Sequence, residues 1–285
     1  MVSDSGAETP GTATPGTLHI VSTPIGNLGD LSPRAVEVLR DVAAILAEDT
    51  RHTRVLTDRY EIRTAMLAHH EHNEAQSTPG LVARLLRGDS LALVSDAGTP
   101  LLSDPGSRLV RAAVEAGVKV SPVPGASALL AALAGAGLAT DRFTFYGFLA
   151  RKGGDRTRTI ADVAALSHTA VLYEAPNRVA ETLADLEAAG AGEREAVVAR
   201  ELTKQYEEFR RGTVRELARY YEEHEVRGEV VLLVAGAPPL VLDETALRER
   251  AAALRADGMS ARDVTRVLME SQQVPRNLAY RIAHE

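Results

Sequence analysis

Three times in the first half of the chain, a short apolar run breaks abruptly into glycine and proline. "TLHIVST" (17–23) leads into "TPIGNLGD", "LALVS" (91–95) into "SDAGTPLLSDPG", and "VKVSPV" (118–123) into "PVPGASA". Runs this continuously apolar are strands buried on both faces, which is the pattern of a parallel sheet. Helical patterns separate them. Ser32 caps one with Pro33 at the first helical position, followed by Val36, Leu39 and Ala43 at helical spacing. A further strand, "AAILAE", and helices near 76–87 and 107–116 complete the alternation, Gly117 closing the last one. Strand–helix alternation of this kind predicts an open α/β sheet, whose ligands bind beyond the carboxyl ends of the strands. The three glycine- and proline-rich loops all fall at that edge. Any one of them reads more readily as a plain tight turn; three at one edge point to a shared site.

The pattern restarts after "GAGLAT". Strands at 143–150, 169–175, 195–201 and 229–236 alternate with helices near 155–166, 178–189 and 213–224, which predicts a second α/β domain. The expected division is a disordered tail over 1–16, domains over 17–137 and 138–240, and a helical tail over 241–285 that begins in the linker "APPLVLD". In that tail Gly258 stops one helix, Ser260 caps the next, which carries Val264, Val267 and Leu268 on one face, and Pro275 opens the last. The arrangement resembles a helix-turn-helix, but its arginines are balanced by acids, a weak nucleic-acid signal.

Composition narrows the function. A net charge of −7 argues against coating nucleic acid by bulk electrostatics, and the absence of cysteine excludes disulfides, thiol nucleophiles and thiolate metal sites. No apolar stretch approaches the ~20 residues of a membrane helix, and the N-terminus has neither a basic start nor an apolar core, so the cytoplasm is the default expectation and no membrane partner is expected. Neither a phosphate-cradling Gly-Lys-Ser/Thr loop nor a G-x-G-x-x-G turn follows a strand. Asp96 and Asp104 would repel phosphate. A glycine-lined acidic pocket suits a ligand with positive charge and a flat apolar part, a description that permits S-adenosylmethionine without selecting it. "HHEHNE" (69–74) reads as a polar loop, and no metal is expected. "ARKGGDRTR" (150–158), with Arg151, Lys152, Arg156, Arg158 and nearby Arg142, is either a basic clamp for RNA or a solvated loop.

In order along the chain, "STPIGNLGDLSPRA", "AEDTRHT", "HEHNE", "LVSDAGTPLLSDPG", "VPGASA", "RFTFYGF" and "ARELTK" resemble the ribosomal RNA small subunit methyltransferase I family of the tetrapyrrole methylase superfamily. The resemblance runs from about Leu18 to Gly236. It implies two α/β domains of the tetrapyrrole methylase type with S-adenosylmethionine in the cleft between them, and a helical C-terminal tail. It further implies 2′-O-methylation of a cytidine ribose in the decoding region of 16S ribosomal RNA, on the 30S subunit, by a homodimer. By resemblance Val94, Ser95, Asp96, Ala97 and Thr99 contact the methionine portion, with Asp96 near its ammonium group. Pro24 lines the floor, Ser127 and Ala128 meet the cofactor, and Glu174 and Leu202 flank its adenosine. Glu48, Asp49, His52 and Glu174 are candidate bases, unranked. The basic residues expected against the RNA are Arg51, Arg151, Lys152, Arg156, Arg158, Arg178 and Lys204. The alternatives are a tetrapyrrole carbon methyltransferase of the same fold, disfavoured by "AEDTRHT" and "ARELTK", and a non-catalytic ribosome-assembly factor, disfavoured by the intact cofactor loop.

Overall fold

A computed structural model describes residues 14–238, 244–272 and 274–285. Contacts group the chain up to Ala237 into one compact unit and the chain from Pro238 into another. In the first unit, strands β1 (Thr17–Val21), β2 (Ala44–Ala47), β3 (Met66–Ala68), β4 (Leu91–Val94) and β5 (Lys119–Val123) alternate with helices α1 (Pro33–Asp41), α2 (Thr50–Arg59), α3 (Glu71–Leu86) and α4 (Ser107–Glu115), before α5 (Ala128–Ala136). The five strands form one wholly parallel sheet in the order β3-β2-β4-β1-β5. Every residue of β2 and β4 is buried, as continuous apolar runs require. Leu31, Leu39, Ile45 and Leu56 pack on one face, and Leu46, Leu81, Leu85 and Leu109 on the other. Ser32 Oγ accepts from Ala35 N at 3.1 Å, with Pro33 opening α1.

The sequence pattern omits β3, a three-residue edge strand with Leu67 exposed, and it reads "HHEHNE" as loop where α3 already begins at Glu71. Asn73 Oδ1 accepts from His70 N at 2.8 Å and starts that helix earlier than its apolar residues announce.

The second sheet is mixed. β6 (Phe143–Phe148), β7 (Thr169–Glu174), β8 (Glu195–Arg200), β9 (Glu208–Thr213) and β10 (Val230–Val234) take the order β6-β7-β10-β8-β9, with only the β6–β7 pair parallel. Helices α6 (Gly154–Ala165), α7 (Val179–Leu186) and α8 (Val214–Glu223) bury one face around Leu172, Val198 and Leu232. The other face, with Val171, Val197, Val231 and Leu233, is closed by Leu129 and Leu133 of α5. A boundary at residue 137 therefore keeps each sheet whole but assigns to the first domain a helix that packs on the second sheet. At Gly135 a Cβ would stand 2.4 Å from the Phe209 ring, so only glycine lets α5 approach β9 this closely. β9 (EFRRGT) escapes sequence patterning because it is a polar edge strand. α8 is capped reciprocally: Thr213 Oγ1 accepts from Glu216 N, and Glu216 Oε2 accepts from Thr213 N.

The second unit consists of α9 (Glu244–Ala256), α10 (Ala261–Gln272) and α11 (Arg276–His284) around Leu247, Leu254, Val264, Leu268 and Ile282. Gly258 takes φ +86°, and Ser260 Oγ accepts from Asp263 N at 3.2 Å. Most of the expected linker (239–243) and of the expected disordered tail (1–13) lies outside the described residues. At the tail's end, Gly16 N donates to Leu85 O at 2.8 Å. Among the described residues no helix is long and apolar enough to cross a membrane.

Candidate active site

The loops after β1, β4 and β5 are tied into one layer. Thr23 and Gly98 pair as an antiparallel bridge, Thr23 N to Gly98 O at 2.8 Å and Gly98 N to Thr23 O at 3.1 Å. Thr23 Oγ1 donates to Ser95 O, Ser22 Oγ to Thr99 Oγ1, and Thr99 Oγ1 to Ala126 O, all within 3.1–3.2 Å. The turn after β4 is strained: Leu101 (φ +77°) and Ser103 (φ +71°) hold left-handed backbone without being glycine. Its exit needs Gly106, where a Cβ would come within 2.4 Å of Leu93 Cδ2. Gly106 has no side chain to cap α4, and Glu74 of α3 supplies the cap, its Oε1 accepting from Arg108 N (2.8 Å) and Leu109 N (3.3 Å). One acid of the histidine-rich segment thus shapes the β4 turn.

Between these loops and the second sheet lies a cavity of about 430 Å³. Its acidic side holds Glu48, from the end of β2, with Asp96 and Asp104 from the β4 turn. Burial, then the Asp96 charge, raises the Glu48 carboxyl above its ordinary value. Burial, then the Glu48 charge, pushes Asp104 up to about 6. Three carboxylates so close in partly desolvated surroundings resist ionising together and attract a cation. The remaining wall is largely apolar and aromatic: Ile25 from the loop after β1, Ala128 from the start of α5, Phe148, Tyr173 and Val231 from the second sheet, and Leu202 from the turn after β8. Ser127 Oγ, also in the wall, is buried without a hydrogen-bond partner. The arrangement can hold a ligand with a cationic end and a flat apolar end, and would offer Ser127 Oγ a partner.

The expected cofactor residues divide. Asp96, Ala97, Thr99, Ser127, Ala128, Glu174 and Leu202 line this cavity. Pro24 and Ser95 line a smaller pocket of about 40 Å³ with His52, while the Val94 side chain packs in the core under the sheet. Asp96 also has a local task, accepting from Asp49 N at 3.1 Å.

Of the candidate bases, Glu48 faces the cavity. Asp49 does not: it caps α2, accepting from Arg51 N at 2.8 Å and gripping the Arg51 guanidinium at 2.8–3.1 Å, which holds its carboxyl far below the usual range. Glu174 borders the cavity, yet its carboxylate is committed. Oε2 accepts from Thr182 Oγ1 at 2.7 Å, and Oε1 accepts from Ala175 N at 2.9 Å and stands 3.5 Å from Arg178 Nε.

Several expected RNA contacts are internal. Arg156 is buried, donating to Asp185 Oδ2 (2.6 Å) and Thr182 Oγ1 (3.2 Å), because α6 turns that side chain onto α7. Arg178 donates to Leu149 O and Ala150 O, bracing the exit of β6. Lys204 is neutralised by Glu201 (2.9 Å) and Glu229 (3.2 Å). Arg158 pairs with Asp155 on the surface, and Arg51 is exposed beside Asp49. Arg151 and Lys152 are exposed and make no salt bridge among the described residues. No group of described residues is placed to hold a metal ion; His69 is buried with Nδ1 3.0 Å from Ser77 Oγ. Sequence reasoning counts Asp104 only towards the acidity of the pocket and assigns no role to Tyr173 or Phe148. Asp104 stands out in sequence as an acid in a Gly/Pro turn, whereas only the sheet register reveals the two aromatics.

Comparison with known proteins gives a consistent picture. A model of the tetrapyrrole (corrin/porphyrin) methylases matches residues 17–218. A ribosomal RNA small subunit methyltransferase I from Synechocystis sp. is 46% identical over 273 residues, 95% of this chain and 98% of that one. The protein of that name from Pseudomonas aeruginosa is 50% identical over 223 residues, 78% and 79% of the two chains. Among solved structures, diphthine synthase superposes with a TM-score of 0.61 at 15% identity, covering 78% of this chain and 90% of that one. Uroporphyrin-III C-methyltransferase from Thermus thermophilus, in complex with S-adenosylhomocysteine, gives 0.56 at 19% identity, covering 77% and 97%. At such identities the two structures establish the shared fold.

Proposed function

The chain belongs to the ribosomal RNA small subunit methyltransferase I family of the tetrapyrrole methylases, and from that premise we propose that it methylates the ribose 2′-hydroxyl of a cytidine in the decoding region of 16S ribosomal RNA, on the 30S particle and as a homodimer. Family membership carries the coarser statement: an S-adenosylmethionine-dependent methyltransferase acting on ribosomal RNA. The observation that supports the cofactor's place is the cavity with carboxylates on one side and an apolar wall around Ile25, Leu202 and Val231 on the other.

The cofactor fits that cavity chemically. Its sulfonium and ammonium are cations for Asp96 and Asp104, its adenine is a flat apolar group for the Leu202 side, and Ser127 Oγ offers a free hydroxyl. The volume of about 430 Å³ lies within the ~300–1,000 Å³ of small-molecule sites. When bound, the cofactor supplies a methyl group activated on sulfur. The protein's share is to hold the acceptor oxygen in line with that methyl, since positioning alone can remove much of the barrier. The acceptor hydroxyl loses its proton as the C–O bond forms and the C–S bond breaks, and we assign that proton to a Glu48 carboxylate oxygen. Of the four candidates Glu48 combines a place in the cavity with a carboxyl raised towards the working pH, which favours proton transfer. Asp49 is tied to Arg51, and Glu174 to Thr182 and Ala175 N.

A tetrapyrrole substrate is the second reading, favoured by the shared fold alone; the uroporphyrin enzyme is 19% identical, the ribosomal relatives 46–50%. The test is incubation of 30S particles from a strain lacking the enzyme with methyl-labelled cofactor, followed by alkaline hydrolysis of the RNA. A 2′-O-methyl removes the nucleophile for cleavage of the next phosphodiester, so one rung disappears from the ladder in the decoding region. Label in nucleobases, or only in a uroporphyrinogen, overturns the assignment.

A further inference from the structure

Phe148 ends β6 at the mouth of the cavity and is 59% exposed. Single exposed apolar side chains are common and mean nothing by themselves. Here the backbone is bent to produce one. β6 pairs with β7 as Phe145↔Val171 and then Gly147↔Leu172, leaving Tyr146 as an extra residue in a bulge. Regular alternation would place Phe148, three residues after Phe145, on the opposite face among α6 and α7. The bulge spends the extra residue on that face, where Tyr146 packs against the helix-side core, and returns Phe148 to the face of Phe145 and Tyr173. The Tyr173 ring lies 4.8 Å from Phe145 and 5.5 Å from Phe148. Gly147 makes this possible with φ +64°, and a Cβ there would stand 2.9 Å from Ser103 Oγ of the β4 turn. Bulges of this kind re-aim side chains beside active sites.

Resting on the function proposed above, we infer that Phe148 is a stacking platform for the base of the target nucleotide, splayed from the RNA at the cavity mouth. In an RNA helix the 2′-hydroxyls lie along a wide, shallow minor groove, so a single 2′-oxygen enters a deep cleft when its nucleotide leaves the stack. Proteins that act on single nucleotides of RNA splay them out and stack the base on an aromatic ring. The strand exit fits this use. Arg178 grips Leu149 O and Ala150 O immediately after Phe148, and the exposed Arg151 and Lys152 follow, two cations suited to flanking phosphates. Phe148 is the exposed aromatic side chain of the cavity lining, so its outer face is open to an acceptor arriving from solvent.

The test compares wild type, Phe148→Ala and Phe148→Tyr on 30S particles from the strain lacking the enzyme, with cofactor affinity measured by calorimetry. Loss of one stacked base predicts that Phe148→Ala lowers kcat/KM for 30S roughly 5- to 150-fold. Cofactor Kd and melting temperature should stay at the wild-type values, and Phe148→Tyr should restore turnover. Equal losses in cofactor affinity and turnover overturn the inference in favour of adenine stacking, and unchanged turnover in Phe148→Ala overturns it outright. An inactive wild type, or one that methylates a nucleobase, refutes the proposed function and the inference together.

Discussion

Replacing Asp104 by Asn should stabilise the protein and impair its cofactor site at once. Asp104 titrates at about 6 in the fold against an ordinary 3.8, first because of burial and next because of the Glu48 charge, with Asp96 adding to it and the Ser95 hydroxyl opposing it. Such a shift disfavours the charged form of the folded protein by about 3 kcal/mol at neutral pH. Because Asp104 is only partly buried, solvent screening reduces the usable figure to ~1–2 kcal/mol. The sign follows from proton counting. Below pH 3.8 both states are protonated and nothing is lost; between 3.8 and 6 the unfolded chain ionises first, and stability falls as pH rises, until the whole penalty is present above 6. Asp104→Asn removes the penalty, so thermal melts at pH 8 should rise by roughly 2–4 °C for a chain of this size. At pH 5 about half of that gain should remain. Cofactor affinity should move the other way. A cation beside Asp104 favours its ionised form, so wild-type affinity strengthens as pH rises through about 6, and the variant should bind more weakly with a flatter pH profile. Calorimetry and melting at pH 5, 6.5 and 8 read both effects. A variant no more stable at pH 8 than wild type, or a wild-type affinity that improves on acidification, would refute the reasoning.

Three further outcomes separate structural from RNA-facing arginines and test the packing. Arg156→Ala should lower stability by ~2–3 kcal/mol in denaturant titrations, less than a fully buried pair because Asp185 is partly exposed, and leave the salt dependence of RNA binding unchanged. Arg151→Ala with Lys152→Ala should leave the melting temperature alone and reduce the log–log salt slope of RNA binding by about 1.4, the value for two phosphate contacts on a single strand. Gly135→Ala should cost ~1–3 kcal/mol, because the new Cβ meets the Phe209 ring at 2.4 Å, and pairing it with Phe209→Leu should recover part of that loss.

Much of the scaffold is legible in the residues themselves. Ser32–Pro33 announces α1, the apolar runs of β2 and β4 announce a parallel core, and Gly117 ends α4 with the left-handed backbone expected of it. β3 and β9 are edge strands whose partners supply the pattern they lack, and α3 starts at Glu71, held by the Asn73 cap rather than announced by apolar residues. Long-range partners are equally silent in sequence, and Arg156 looks like part of a basic loop until Asp185, 29 residues away, meets it in the fold. The site is harder still, because there the backbone departs from what its residues prefer. Five described non-glycine residues have positive φ: Glu61, Leu101, Ser103, Glu201 and Thr203. Leu101 and Ser103 flank Leu102 on one wall of the cavity, and Glu201 and Thr203 flank Leu202 on the other. Each such conformation costs of order 1–3 kcal/mol and persists only where its surroundings dictate it. Local propensity therefore fails at both walls of the cavity, since the residues there are selected for the space between the two sheets and not for the turn each one occupies.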